Sequence, residues 1–148
     1  MPRTRQWDVL LAIAAGGALG SLARYGLAVG LPHPPGGFAV STLLANVLGC
    51  VLIGVLMVVV TEVARPRRLL RPFAGVGFCG GFTTFSTYVV DAMDSALQGR
   101  PGVALLYALG SVLASLTAVL AGIVAARLLL RPRRAGHARA RQRQPGGV

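Results

Sequence analysis

Hydrophobic and polar residues follow one another along this chain in long blocks. Four hydrophobic blocks with few charged side chains cover approximately residues 7–31, 37–62, 70–97 and 102–130. The hydrocarbon core of a bilayer, about 30 Å thick, is crossed by about 20 residues of α-helix. The pattern therefore predicts an all-α membrane protein with four transmembrane helices, and a mean hydropathy of +0.67 agrees with it.

Three short connections join the predicted helices. The first and third, at residues 31–38 and 98–102, are rich in proline and glycine, which favour turns. The second, residues 65–72, is strongly basic. No connection is long enough to separate two domains, so we predict a single four-helix domain over residues 1–130. The remaining segment, residues 131–148, is polar and basic, and we predict a disordered cytoplasmic tail.

Small residues recur on three of the predicted helices. Membrane helices associate through close contact between such residues, since lipid tails offer no hydrophobic driving force. Four helices alone cannot easily enclose a polar path and also shield it from lipid, so we expect the chain to oligomerise. The small residues are Gly16, Gly17 and Gly20 in the first helix, Gly49 and Gly54 in the second, and Gly110, Ala114 and Ala118 in the fourth.

The formal net charge of +11 arises from fifteen arginines, most of which flank the hydrophobic blocks. Positive charge in these positions sets membrane topology and contacts anionic lipid headgroups, so we expect a lipid bilayer and no nucleic acid as partner. Thirteen of the fifteen arginines fall on the side of the N-terminus, the second connection and the tail. The other side has Arg100, and Arg24 lies within the first block. This bias predicts a multi-pass protein of the plasma membrane with both termini in the cytoplasm.

Acidic residues and histidines are scarce, and none falls at the middle of a predicted helix. Proton relays, metal sites and activated nucleophiles require such groups, so we predict that the chain is not an enzyme. The same scarcity disfavours a proton-coupled exporter of small compounds, for which a mid-membrane carboxylate would be the mark. A non-conducting membrane interaction subunit is a further alternative.

The third block contains the stretch Gly77–Tyr88, GFCGGFTTFSTY. Gly80 and Gly81 weaken a helix at a depth where freed carbonyls find no water, so non-helical backbone there must be buried in protein or line a wet path. We therefore predict a third helix broken near Gly80–Thr83. Carbonyl oxygens released by the break would suit a hard cation such as sodium. The alternative is a kinked packing helix whose hydroxyls bond back to its own carbonyls.

Neutral polar side chains and aromatic rings accumulate near this stretch. Phe85 and Tyr88 are three residues apart, so their rings share one helical face, and ring edges can contact an anion. Such donors could replace the water around a small anion and still release it. The other candidate donors are Asn46 in the second helix, Thr83, Thr84, Ser86 and Thr87 in the third, and Tyr107 and Ser111 in the fourth. Arg24 has either a functional role within the membrane or a side chain that reaches the interface.

Three motifs in order resemble the CrcB/Fluc family of fluoride channels. The stretch GFCGGFTTFSTY is similar to the third-helix signature of that family. Gly16–Tyr25, GGALGSLARY, resembles its first-helix motif, and Ser41–Gly49, STLLANVLG, its second. The resemblance covers about residues 8–130, so it would make residues 1–130 a fluoride channel domain.

This resemblance implies a fluoride-selective channel that passively lowers cytoplasmic fluoride. It further implies an antiparallel dimer with two pores and a central sodium ion that is structural and not transported. By position, the backbone carbonyls of Gly80 and Thr83 would hold the sodium, and Phe85 and Tyr88 would be the pore aromatics. Asn46, Ser86, Thr87, Tyr107 and Ser111 would line the polar route, and Arg24 would lie near a pore vestibule.

Tyr88 departs from the family pattern, which usually has phenylalanine at this position. Its added hydroxyl could change the anion contact or impair one pore. The arginine bias also departs from what an antiparallel homodimer needs, because such a chain must insert in both orientations. We therefore predict a dimer with a related subunit of opposite orientation.

Overall fold

The structure is a computed structural model that describes residues 4–63 and 68–130. No β-strand occurs within these two ranges. The helices are α1 (Thr4–Gly30), α2 (Val40–Val58), α3 (Gly80–Phe82), α4 (Ser86–Leu97) and α5 (Pro101–Leu130), with π-helical segments π1 (Val59–Val63) and π2 (Arg71–Cys79). The tail at residues 131–148 and residues 65–67 of the second connection lie outside the described residues.

Four helical spans are long and apolar enough to cross a membrane, as the hydrophobic blocks predict. They are Gln6–Gly30, Val40–Glu62, Arg71–Leu97 and Pro101–Leu130. The chain is therefore a multi-pass membrane protein. Each predicted boundary lies within three residues of the observed helix end. The second helix begins later than predicted because Gly36 adopts a φ of 66° and the amide of Gly37 donates to the Pro34 carbonyl at 2.9 Å.

The first span packs against the first half of the third through glycine backbone contacts. A Cβ atom at Gly16 or Gly20 would collide with the carbonyl oxygen of Phe73 or Phe78, respectively. A Cβ at Gly81 would collide with the Gly17 carbonyl oxygen. The small-residue face predicted for the first helix is confirmed, and Gly81 is required for this close approach.

The second span packs against the fourth, and glycines again set the distance. A Cβ at Gly122 would lie 2.5 Å from the Val51 carbonyl oxygen, and a Cβ at Gly54 would collide with that of Val119. At Gly110 a Cβ would meet no atom within 4 Å. The expectation that Gly110 is a packing glycine is therefore wrong within this chain. The buried face of α5 instead comprises Tyr107, Ser111, Ala118, Gly122 and Ala126.

The helical backbone of the third span is interrupted between Phe82 and Ser86. Gly80 remains helical, with φ −64° and ψ −34°, whereas Thr83 is extended, with φ −80° and ψ 157°. The amide of Thr83 still donates to the Cys79 carbonyl at 3.0 Å. The chain resumes a helix at Ser86, so the residues around Thr84 present backbone groups at the middle of the bundle.

Candidate functional site

Asn46 pairs with the backbone of Thr84 through both halves of its side-chain amide. Its Nδ2 donates to the Thr84 carbonyl oxygen at 2.9 Å, and the Thr84 amide donates to Asn46 Oδ1 at 2.8 Å. An interrupted helix in a membrane leaves backbone groups that no lipid can satisfy. The side chain from α2 therefore supplies both partners that the backbone of Thr84 lacks.

Two backbone carbonyls at the interruption lose the amide that a continuous helix would give them. The Thr84 amide would donate to the Gly80 carbonyl, but it donates to Asn46. The Thr87 amide would donate to the Thr83 carbonyl, but it donates to Thr84 Oγ1 at 3.2 Å. Gly80 is also exposed, with open space beside its Cα. The two carbonyls predicted to hold sodium, those of Gly80 and Thr83, thus both lack the amide donors that a continuous helix would give them.

No cluster of three or more His, Cys, Asp or Glu side chains is present within residues 4–63 and 68–130. Backbone and hydroxyl oxygens are therefore the candidate ligands for a cation in this part of the chain. Hard cations such as Ca²⁺ and Mg²⁺ accept oxygen ligands of this kind, backbone carbonyls included. The donor set at Gly80 and Thr83 fits a hard monovalent cation as well.

Arg24 approaches the interruption from α1. Its Nε donates to the Gly81 carbonyl oxygen at 3.2 Å, and Ser21 Oγ lies 3.5 Å from the same oxygen. The side chain is half-buried, and its Nε turns toward the third span. The predicted place of Arg24 at a pore vestibule remains a prediction.

Hydroxyl groups form a small cluster at the start of α4. Thr84 Oγ1 donates to Thr87 Oγ1 at 3.0 Å and lies 3.3 Å from Ser86 Oγ. Thr83 behaves differently, because its Oγ1 donates to the Cys79 carbonyl four residues earlier at 2.9 Å. For Thr83 the back-bonded alternative is therefore correct, whereas the Ser86 and Thr87 hydroxyls both contact Thr84 Oγ1.

A row of aromatic rings extends from α4 to α5. The ring centroids of Phe85 and Tyr88 are 5.7 Å apart, and those of Tyr88 and Tyr107 are 5.6 Å apart. The Phe38 and Tyr107 rings lie nearly perpendicular to each other, with 5.2 Å between centroids. The Tyr88 hydroxyl donates to the Ala108 carbonyl oxygen at 3.0 Å. This hydroxyl joins α4 to the backbone of α5.

A groove of about 220 Å³ lies beside these groups. Its lining combines four predicted route residues, Asn46, Phe85, Tyr88 and Ser111, with Val112, Ser115 and Leu116. Ser111 Oγ is the buried side-chain polar atom without a hydrogen-bond partner among the described residues. Ser115 was not predicted, although it follows Ser111 by four residues, the same step that separates Ser111 from Tyr107.

Asp91 is the residue that sequence reasoning missed. Tyr107 Oη donates to Asp91 Oδ2 at 3.3 Å, and His33 Nε2 lies 3.9 Å from Asp91 Oδ1. The Asp91 side chain is only 12% exposed. An acidic side chain therefore lies beside Tyr107, one of the candidate route residues. The available signal was the spacing of Asp91 from Tyr88, three residues along one helical face.

Comparisons with known proteins agree with the resemblance. Residues 11–123 match the model of a family described as "CrcB-like protein, Camphor Resistance (CrcB)". The "Fluoride-specific ion channel FluC 2" of Thermobifida fusca is 51% identical over 124 residues, 84% of this chain and 92% of that protein. A relative of the same name from Nocardia farcinica is 52% identical over 119 residues, 80% of this chain and 85% of that protein. The "Fluoride-specific ion channel FluC 1" of Streptomyces coelicolor is 47% identical over 126 residues, 85% of this chain and 82% of that protein.

The hydrogen bond from Tyr88 to Ala108 leads to a prediction about stability. Replacing Tyr88 by phenylalanine keeps the ring and removes the donor, so we expect a loss of about 1 kcal/mol. That loss corresponds to a fall of about 2–4 °C in the melting temperature of the purified protein in detergent. Tyr25→Phe is the matched control, because the Tyr25 side chain is 69% exposed. Equal melting temperatures for the two variants would contradict a structural role for the Tyr88 hydroxyl.

Proposed function

The chain belongs to the CrcB-like family, and from that premise we propose that it is a fluoride-specific ion channel which lets fluoride leave the cytoplasm passively. Three relatives over most of its length are named fluoride-specific ion channels. Membership of this family makes the chain an ion channel and not an enzyme, as the scarcity of acids and histidines predicts.

The observation that carries the proposal is the groove beside Asn46, Phe85, Tyr88 and Ser111. Its polar groups are neutral amides and hydroxyls, and its remaining wall is aromatic or aliphatic. Ser111 Oγ has no protein partner although the residue is only 3% exposed. A buried hydroxyl without a partner costs free energy, and an anion that accepts a hydrogen bond from it would remove that cost.

Neutral donors also suit conduction. A full positive charge in the groove would hold an anion strongly, whereas hydroxyl, amide and ring-edge contacts replace hydration and allow release. In this proposal Phe85 and Tyr88 present their rings to the anion, and Asn46 and Ser111 offer donors. Ser86 and Thr87 continue the route along α4. Tyr107 lies at the end of the route, where its hydroxyl donates a hydrogen bond to Asp91. Arg24 attracts anions toward the vestibule.

Phe85 gives the sharpest test of this route. Its side chain is 78% exposed in the protomer, so Phe85→Ala removes little packing within the chain. We expect the variant to lower fluoride efflux from liposomes at least tenfold. Efflux is measured with a fluoride electrode, and the liposomes contain the protein purified together with any subunit that accompanies it. Leu97→Ala, which truncates an 82% exposed side chain at the other end of α4, should retain wild-type efflux. Unchanged efflux in Phe85→Ala would remove this ring from the route.

Sodium fits the interruption of the third span. The carbonyls of Gly80 and Thr83 would be its ligands, with the matching pair from a second subunit of opposite orientation completing the set. Such an ion would hold together the interrupted third spans of the two subunits through their carbonyl oxygens, and it would not be transported. The proposal is supported by the diversion of the two amides and by the open space at Gly80.

A cation exchange tests this site. When sodium is replaced by N-methylglucamine, a cation too large for four carbonyls, we expect the dimer to dissociate at a higher protein concentration than it does in sodium, as measured by size-exclusion chromatography. Thr83→Ala should leave the sodium effect intact, because the proposed ligand is the carbonyl and the Thr83 hydroxyl donates to Cys79. Assembly and fluoride efflux that are both indifferent to sodium would contradict the site.

Orientation follows from the arginines. Thirteen of fifteen would lie on the cytoplasmic side if both termini are there, so the chain should insert in one orientation. An antiparallel dimer then requires a related subunit that inserts in the opposite orientation. Tyr88 is tolerated in this arrangement because the partner subunit completes the working pore.

Reporter fusions decide the orientation. A reporter at the C-terminus that is active only in the cytoplasm should give a strong signal, and one that is active only outside should give almost none. The expected difference arises from the charge bias between the two sides. The substitution Arg100→Glu increases that bias, so it should leave the reporter signals unchanged. Equal signals from the two reporters, or robust fluoride efflux from this chain alone, would contradict pairing with a second subunit.

A further inference from the structure

A second cavity lies far from the anion groove, between the end of the second span and the start of the third. It has a volume of about 510 Å³, within the range of small-molecule sites. We call it the α2–π2 groove. Its lining residues are Ile53, Leu56, Met57, Val60, Thr61, Arg71, Gly75 and Val76.

The α2–π2 groove runs from the membrane surface into the hydrocarbon. Thr61 lies at the end of the span Val40–Glu62, and Arg71 is the first residue of the next span, so both lie near the same membrane surface. Ile53 precedes Thr61 by eight residues, which is about 12 Å of helix. One leaflet of the hydrocarbon core is about 15 Å deep, so the groove matches the depth of one acyl chain.

Local backbone geometry opens this groove. One wall ends in the π-helical segment Val59–Val63, and the other is the π-helical segment Arg71–Cys79. π-helical turns are rare and occur frequently at functional sites. Gly75 contributes no side chain, and a Cβ there would lie 3.2 Å from Leu56 Cδ2. The absent side chain leaves room between the two walls.

The wall of the groove is apolar, and its single charged group is Arg71. Nearby acidic groups are engaged elsewhere, since Arg127 Nη2 lies 2.8 Å from Glu62 Oε1 and Arg68 Nη1 lies 3.8 Å from Asp8 Oδ2. Within residues 4–63 and 68–130, the exposed guanidinium of Arg71 makes no hydrogen bond or ion pair. The groove thus combines an apolar slot with an uncompensated cation at headgroup depth.

We propose that the α2–π2 groove binds an anionic phospholipid, with one acyl chain along Ile53, Leu56 and Val76 and the phosphate paired with Arg71. A guanidinium binds phosphate oxygens in a bidentate manner, which suits this role better than a point charge would. Basic pockets between transmembrane helices bind anionic headgroups in the same way. This site does not depend on the conducted ion.

Native mass spectrometry of the purified protein tests the proposal, with phosphatidylglycerol and phosphatidylcholine of identical acyl chains offered in equal amounts. We expect the wild type to retain at least fivefold more phosphatidylglycerol than phosphatidylcholine. Arg71→Gln should lower the phosphatidylglycerol-bound fraction at least fivefold. The matched control is Arg100→Gln, which removes an exposed arginine at the other membrane surface and should change nothing.

Gly75→Leu separates the slot from the charge. It fills the groove while Arg71 remains, so it should also lower the bound fraction at least fivefold. If this variant does not fold, the Arg71→Gln and Arg100→Gln pair decides alone. Inorganic phosphate at the lipid concentration should fail to displace the lipid, since it cannot use the slot. The proposal would be overturned if the two arginine variants retained equal amounts of lipid, or if the wild type retained both lipids equally. It would also be overturned if no lipid were retained because a second subunit covers the groove.

Discussion

The pairing of the Asn46 side-chain amide with the backbone of Thr84 is the interaction on which the rest of the site depends. A backbone N–H or C=O without a partner costs several kcal/mol in hydrocarbon, so a helix cannot be interrupted within a membrane without replacement partners. Asn46 provides both replacements from the neighbouring span, at 2.8 and 2.9 Å. The third span can therefore leave the helical conformation at Thr83 and resume it at Ser86.

Several features follow from that interruption. The Thr84 amide no longer serves the Gly80 carbonyl, and the Thr84 hydroxyl accepts the Thr87 amide, which leaves the Thr83 carbonyl without its usual donor. Thr84 thus connects the second span, two freed carbonyls and the first turn of α4. The direction of α4 then places the Phe85 and Tyr88 rings, and the Tyr88 hydroxyl attaches them to α5. A cation site and an anion groove at one interruption are the functional result we propose.

Much of the fold could be predicted from the sequence because transmembrane spans depend on composition over long segments. The four spans, the glycine face of α1 and the membership of Asn46, Phe85, Tyr88 and Ser111 in one groove were predictable from hydropathy, local spacing and motifs. Contacts between distant segments were not. No pattern in the sequence indicates that Asn46 contacts Thr84, 38 residues later.

Glycine positions show the same limit. Gly80 and Gly81 suggested where the helix would break, but both are helical, and Gly81 serves the contact with Gly17. The sequence predicted that Gly110 would allow close contact with another helix, but Gly122 makes that contact with α2. Which face of α5 meets α2 depends on the tertiary structure and not on local spacing. The contact between Asp91 and Tyr107 depends on how α4 and α5 lie together, so hydropathy and local spacing do not reveal it.

Comparison of fluoride with chloride efflux tests most directly the central claim that this interruption and its neutral donors form a selective anion route. Liposomes that contain the purified assembly and equal internal concentrations of the two ions would be followed with ion-selective electrodes. A route built from close, uncharged donors should release fluoride rapidly and retain chloride. Chloride efflux at the fluoride rate, or fluoride retained as in protein-free liposomes, would contradict the claim.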